Sequence, residues 1–323
     1  MPTCGKCKKP AVTFIRYNGT HLCAAHFNRF VEERVAREIR RQCRLGRNET
    51  VAVALSGGKD STVALHLVNR VLAERKYMKI VAITIDEGIR GYRGKTINAA
   101  KKNCRLLGVE HHVMRFRDEF GRTLDGMARM KWKKGEFHPC TFCGVLRRFC
   151  INKMAREAGA TWLVTGLNLD DTAQSALMNI CRGDVDKFAR MGPHEFRQEN
   201  LVPRIQPLRT IPEKEVFLYA MLNGIGFDHG ECPYAESAAR NRFRSLIGEL
   251  EDQSPGTRHS VLVSAERIAG MARKELGSVR ISSCSICGEP TGQKICKACL
   301  LMDRIENRRQ KIRARQAIQP SDF

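Results

Sequence analysis

Two sets of metal-ligating side chains bracket the chain. Near its start, Cys4-Gly-Lys-Cys7 is followed after fifteen residues by Cys23-Ala-Ala-His26. Near its end, Cys284-Ser-Ile-Cys287 is followed after eight residues by Cys296-Lys-Ala-Cys299. Thiols at this spacing form a tight knuckle, and a returning pair completes a tetrahedron that suits Zn²⁺. A closed four-ligand site leaves no position for substrate, so both zinc ions are expected to hold shape rather than do chemistry. A redox dithiol would need a thioredoxin-like βαβ context, which is missing here. His21 competes for the fourth position of the first site, at poor spacing from Cys23.

A third cysteine set does not match zinc. His138-Pro139-Cys140-Thr-Phe-Cys143-Gly144 has no second pair nearby, and a single Cys232 stands far away in Glu231-Cys232-Pro233-Tyr234. Three thiolates holding a [4Fe–4S] cluster would leave one iron open to exogenous sulfide. A persulfide relay between Cys140 and Cys232 is a second reading. A third zinc using His138, or a redox pair with Cys232 buried, is a third. The residues alone leave these open.

The other reactive segment is Ser56-Gly57-Gly58-Lys59-Asp60-Ser61. It follows a buried-strand run, Thr50-Val-Ala-Val-Ala54-Leu55, and opens a stretch of helical period from Thr62 to Leu72. Strand, small-residue turn and helix start together make an anion site, because unpaired N–H groups and the helix dipole point at the turn. The glycines let the main chain approach phosphate oxygens. Ser56 and Ser61 can donate hydroxyls, Lys59 can counter phosphate charge, and Asp60 can hold the loop or a Mg²⁺ ion. The spacing is not that of a GTPase-type phosphate loop.

The elements that position these groups alternate as in an α/β domain with a parallel sheet. Further strands are expected at Lys79–Ile85, Glu110–Met114 and Thr161–Thr165, with a helix from Thr96 to Leu107. The last strand runs into Gly166-Leu-Asn168-Leu-Asp170-Asp171, and residues at the carboxyl ends of parallel strands face the ligand crevice. Gly166 would let a nucleotide approach, and Asp171 is a candidate for placing Mg²⁺ or acting as general acid/base. Asp170 is assigned the plain role of helix N-cap. Between the first thiol pairs, Val12–Tyr17 and Thr20–Leu22 read as two strands around a type I′ turn at Asn18-Gly19.

Of 323 residues 42% are hydrophobic, enough for a substantial core, and the formal net charge is +22. So basic a chain points modestly to a polyanionic partner; adaptation to a salty or hot cytoplasm is the alternative. No segment approaches the roughly 20 apolar residues that span a bilayer, and no secretory signal opens the chain, so no membrane association and a cytoplasmic location are expected. A reducing compartment favours metals over disulfides for the 14 cysteines. Cys43, Cys104, Cys150 and Cys181 are expected to be ordinary core residues. The basic stretch from Arg308 to Arg315 reads equally as a solvated helix face or an RNA contact.

Ser-Gly-Gly-Lys-Asp-Ser resembles the PP-loop of the N-type ATP pyrophosphatases, which bind ATP and transfer AMP. Two further segments join the motifs above: Pro207-Leu-Arg209 and Glu213-Lys-Glu215, the latter preceding Cys232-Pro-Tyr. The ordered set resembles the tRNA 2-thiouridine synthetases over nearly the whole chain. The resemblance implies a PP-loop α/β fold with small zinc modules at both ends. It implies that ATP adenylates O2 of a tRNA uridine, and that sulfide carried on the open iron of a cluster held by Cys140, Cys143 and Cys232 replaces that oxygen. The nucleotide would contact Ala54 through Ser61, Ile85 beside adenine, Gly166 and Asp171. Arg147 is a candidate contact to the activated uridine, with an outward, solvated arginine as the alternative. A thiocarboxylated ubiquitin-like protein or free sulfide would donate sulfur, and a homodimer is the family expectation. The 2-thiocytidine synthetases share the central motifs but lack the flanking zinc knuckles. A PP-loop ligase of a small metabolite and a zinc-knuckle RNA-binding protein without activity are the rival functions. The expected division is a zinc finger at 1–30, a helical linker at 31–48, the catalytic domain at 49–235, a helical segment at 236–280, and a second zinc finger with a basic tail at 281–323.

Overall fold

The computed structural model describes residues 2–73, 75, 77–130, 132–192, 198–235, 240–276 and 281–317, with side chains throughout except at 276, 309 and 311–317. Its centre is a five-stranded sheet ordered β5-β4-β3-β6-β7, from β3 (Thr50–Ala54), β4 (Lys79–Asp86), β5 (Glu110–Arg115), β6 (Trp162–Thr165) and β7 (Arg204–Ile205). Every pairing is parallel. Such a sheet must be covered on both faces, and the central strand accordingly carries Val51, Ala52 and Val53 at 1% exposure or less. The fifth strand was not expected. At two residues, it is too short for a periodic signal and exists only by pairing with β6.

The register matches Ala54 to Ile83 on one side and to Thr165 on the other. The carboxyl ends of β3, β4 and β6 therefore end together, and the turns after them share one crevice. Helix α2 (Lys59–Leu72) follows β3, α3 (Arg93–Leu107) follows β4, the short α4 (Phe116–Phe120) and α5 (Leu124–Ala128) follow β5, and α7 (Leu169–Cys181) follows β6. The helix expected from Thr96 begins one turn earlier, at Arg93, and that turn proves important below.

Around the first thiol set, β1 (Thr13–Ile15) and β2 (Thr20–Leu22) form a shorter hairpin than expected. Its loop is four residues long and only Gly19 has positive φ, so the type I′ turn is corrected to a wider loop closed by Gly19 N–H on Ile15 O. His21 stacks on Phe14 with ring centroids 4.5 Å apart and is not a ligand. Helix α1 (Ala24–Gln42) starts at the second ligand pair and runs through residue 30 without a break. The stretch expected as a linker buries Val31, Val35 and Ile39 on one face. Arg34 crosses to Glu215 at 3.0 Å and to the carbonyl of Thr210, which fastens this module to the sheet domain.

At the other end, β8 (Ser282–Ser283) and β9 (Pro290–Thr291) form a second small hairpin, followed by α12 (Lys297–Ala317). This module packs on α6 (Pro139–Glu157). Cys284, Cys296, Leu301 and Ile305 share one core with Leu146, Cys150 and Met154. Glu289, 4% exposed, pairs with Arg156 and accepts from Asn152 Nδ2 at 3.1 Å. Arg308, first residue of the basic stretch, ion-pairs with Glu136 at 3.5 Å and lies over the Trp132 ring; the side chains of Lys311, Arg313 and Arg315 lie outside those described. Within 236–280, α10 (Arg240–Gln253) and α11 (Thr257–Leu276) lie against α7. Cys43, Cys104 and Cys150 are buried as expected, whereas Cys181 is exposed at the end of α7. No described helix is long and apolar enough to cross a membrane.

Candidate nucleotide and metal centre

The turn after β3 is held open by its own hydroxyls. Ser56 and Ser61 bring their Oγ atoms to 2.8 Å, Ser56 N–H donates to Ser61 Oγ at 3.0 Å, and Gly58 N–H donates to Ser56 Oγ at 3.3 Å. The first-turn N–H groups of α2 have no partner inside the helix, so they face the crevice as anion donors. Lys59 reaches Asp60 at 2.8 Å and Glu213 at 3.3 Å, and Asn168 donates to Asp60 at 3.0 Å. Arg244 and Lys59 outweigh burial at Glu213 and hold its carboxyl below the usual range. Leu55 has its N–H on Ile83 O and its C=O on Thr84 Oγ1, with its side chain in the core. Its backbone places the loop. Ile85 is likewise buried, at 3%.

Two glycines are compelled by close approach. Gly57 has φ of 85°, and a Cβ there would sit 1.8 Å from the carbonyl oxygen of Thr96. Gly57→Ala is therefore expected to move the loop or α3, weaken ATP binding at least tenfold and lower the thermal midpoint, measured by nucleotide titration and calorimetry. Gly166 presents its bare face to the backbone of Ser61, where a Cβ would come within 2.7 Å. Its absent side chain thus admits the phosphate loop itself, a packing reason not anticipated from the sequence.

Asn168, not Asp170, is the N-cap of α7, and Asp171 completes a capping box by accepting from the N–H of Asn168. Asp170 instead binds Arg258 at 2.7 Å and the N–H of Glu213 at 2.7 Å, tying α7 to α11 and to α9 (Glu213–Leu222). Asp171 also faces Arg240 at 3.0 Å. Burial raises its carboxyl pKa, against the pull of Arg240.

The three central cysteines lie on two unconnected segments that meet each other, and one of the two is fastened to the phosphate loop. Cys140 and Cys143 stand in the first turns of α6, and the Cys140 thiol donates to Tyr234 O at 3.3 Å, two residues past Cys232. The segment leading to Cys232 is anchored on the phosphate loop, where Asp228 N–H donates to Gly57 O at 3.0 Å. Cys232 is four residues on, so its Cα lies within about 14 Å of Asp228 even in an extended chain. Burial pushes the Cys143 thiol up to about 12, with Arg147 opposing. A buried thiol of that kind ionises only against a strong positive partner such as a metal.

Sequence reasoning missed the link between loop and cysteines. Glu87 is 2% exposed, with Arg93 Nε 2.6 Å from one oxygen and Arg147 Nη1 3.7 Å from the other. Arg93 donates to Ser56 O at 3.2 Å and to Ile85 O, so one buried arginine holds the ends of β3 and β4. Arg147 is half-exposed; burial opposes its charge, but Cys143, Glu87, Tyr92 and Cys232 raise its pKa. An arginine in a surface-like helix start carries no local signal, which is why Arg93 escaped notice.

The two outer sets meet the geometry of zinc. Cys4, Cys7, Cys23 and His26 have ligand atoms within 4.8 Å of one another, as do Cys284, Cys287, Cys296 and Cys299. The contacts Cys7–Cys23, Cys284–Cys299 and Cys287–Cys296 measure 3.8, 3.9 and 3.7 Å. A tetrahedron with Zn–S near 2.3 Å has an edge of about 3.8 Å. Burial opposes ionisation of Cys4 and Cys284, yet backbone N–H donors draw both down to about 6. Among the described residues Cys140, Cys143 and Cys232 do not gather within that span, nor does His138 join them. The central thiols therefore do not repeat the compact four-ligand arrangement of the outer sets.

The family profile of the PP-loop domain matches residues 29–250, and that of the 2-thiouridine synthetase TtuA N-terminal LIM domain matches 3–28. The chain belongs to the PP-loop 2-thiouridine synthetase family. Within this family it is similar to the tRNA 2-thiolation protein NcsA of Haloferax volcanii, 38% identical over 94% of this chain and 99% of that one. It is similar also to the tRNA-5-methyluridine(54) 2-sulfurtransferase of Pyrococcus horikoshii, 32% identical over 92% of each. Among solved structures it resembles the U34-tRNA thiolase NcsA of Methanococcus maripaludis with its [4Fe-4S] cluster. The TM-score is 0.81 at 33% identity, covering 94% of this chain and 96% of that one.

Proposed function

We propose that this protein is an ATP-dependent tRNA sulfurtransferase that adenylates O2 of a uridine and replaces it with sulfur, giving 2-thiouridine. One observation carries the reading: the loop that delivers Cys232 to Cys140 is hydrogen-bonded to the phosphate loop at Gly57. Activation and sulfur delivery thus share one crevice. The C2 oxygen is a poor leaving group, and transfer of AMP to it converts it into a good one. Loop N–H groups and Lys59 would hold the phosphates of ATP, Asp60 or Asp171 would place Mg²⁺, and Arg147 would meet the uracil beside Cys143. A [4Fe–4S] cluster on Cys140, Cys143 and Cys232 would supply an iron with a free position for sulfide. The target base must leave its stack to enter. Zinc at both ends, a thiocarboxylate protein or sulfide as donor, a homodimer and a cytoplasmic location complete the proposal.

The test is anaerobic purification, metal analysis and a visible spectrum, followed by incubation with tRNA, ATP and sulfide. Expected are brown absorbance, about four iron atoms and two zinc ions per chain, AMP release and 2-thiouridine in the RNA. Mapping the modified base distinguishes position 34 from position 54, the two positions that appear in the names of the relatives. Active but colourless protein would replace the cluster by the persulfide route. AMP release without dependence on RNA would replace the whole reading by a metabolite ligase.

A further inference from the structure

A second, unassigned cavity lies one face round α6 from the cysteines. It encloses about 680 Å³ between α6, the C-terminal knuckle and α8 (Val185–Ala189). That volume is of the size that accepts nucleotide-sized ligands and far exceeds a lone phosphate ion. Arg148, Lys187, Arg190, Arg204 and Lys297 line it. Of its two acidic residues, Glu289 is already committed to Arg156, and Asp186 is exposed with only its carbonyl bound, to Arg190.

The charge balance of this cavity is unusual. Among the described residues no carboxylate pairs with Arg148, Arg190, Arg204 or Lys297. Arg204 Nε is buried with no hydrogen-bond acceptor. Burial lowers the pKa of both Arg148 and Arg204, and each further suffers a neighbouring arginine, Arg147 for the first and Arg148 for the second. Arg148 is exposed and Arg204 partly buried; like charges facing one cleft without a paired carboxylate repel one another, and an incoming anion relieves that repulsion. Lys297 opens the 21-residue helix α12, whose N-terminal dipole adds to the same field.

We propose that this cleft binds phosphates of the tRNA backbone and that the C-terminal knuckle serves as one of its walls. The proposal rests on tRNA being the substrate. A net charge of +22 suits an extended polyanion, and the cleft shares its helix with Arg147 and the cysteines. An RNA gripped on one face of α6 therefore presents a flipped base to the adjoining face. Phosphate contacts of this kind orient the substrate without reading its sequence.

The test compares the full-length, metal-loaded protein with Arg148→Gln/Arg204→Gln and with the exposed Lys297→Gln, following tRNA binding against salt. Each lost phosphate contact flattens the slope of log K against log salt by roughly 0.7 to 0.9. Expected are a slope flatter by one to two contacts in the double variant and one in Lys297→Gln, with affinity at low salt reduced about tenfold or more. KM for tRNA should rise while KM for ATP and the rate at saturating tRNA stay unchanged. Inorganic phosphate at millimolar concentration should weaken tRNA binding to the wild type more than to the double variant. Unchanged slopes in both variants overturn the proposal. So does a loss confined to protein-donated sulfur, which would make the cleft a docking site for the donor. A sharp fall in thermal midpoint of the double variant, with Lys297→Gln silent, would show the arginines to be structural and also overturns it. If the wild type thiolates tRNA and these results fail, the cleft alone is wrong. If the wild type neither binds nor thiolates tRNA, the substrate assignment falls first.

Discussion

Cys232→Ala is expected to abolish 2-thiouridine formation, by roughly three orders of magnitude or more, equivalent to about 4 kcal/mol of lost barrier lowering. ATP affinity should change by less than about twofold, because among the described residues no hydrogen bond or ion pair joins the phosphate loop to the side chain removed. Cys232 is half-buried beside Cys140 and Tyr92, and the segment that leads to it is fastened at Gly57. Rapid-quench analysis of RNA with labelled ATP should still detect transfer of AMP to tRNA in the variant. The brown absorbance should be weak or absent, since a three-thiolate set loses one member. Thiolation above a tenth of the wild-type rate would exclude Cys232 from the sulfur-carrying site, and with it the pairing of the two segments on which the mechanism depends.

Glu87→Ala should have the second largest effect, and on two observables at once. Its carboxylate is 2% exposed and is the only carboxylate paired with Arg93 among the described residues. Removing one partner of a buried ion pair leaves an uncompensated charge and costs about 3–5 kcal/mol. Arg93 retains bonds to Ser56 O, Ile85 O and Thr96 Oγ1, so the loss should sit toward the lower end. Denaturant titration should show the midpoint shift without a change in slope. Because Arg93 braces Ser56 and Glu87 also neighbours Arg147, KM for ATP and the thiolation rate should both worsen. Glu87→Gln, which keeps an acceptor but no charge, should recover most of the ATP affinity and less of the stability. A variant as stable as wild type with only a slower sulfur step would make Glu87 a partner of Arg147 alone.

The division of labour between these residues explains which parts of the centre were readable in advance. Ser56 through Ser61 announce themselves because strand, glycine turn and helix are contiguous, and contiguous geometry is written in local order. The outer cysteine sets are similarly legible, since a knuckle needs two thiols at fixed separation and a short return. The parallel sheet followed from alternating apolar runs and helical periods. Roles inside a helix start were less legible. Asp170 and Asp171 are adjacent and chemically identical, and only the direction of α7 decides that Asp171 joins the capping box while Asp170 turns to Arg258.

Chain order alone thus settled the phosphate loop, both outer cysteine knuckles, the α/β class and the family, because each depends on residues close in sequence or on motifs in a fixed succession. Folding decided the rest. The meeting of Cys232 with Cys140, the Glu87–Arg147 and Arg93–Ser56 links, the two-residue fifth strand and the cation-lined cleft all join segments tens of residues or more apart. Spacing along a chain carries no record of which distant side chains the sheet order and helix packing bring face to face; that information exists only once the strands have chosen their neighbours.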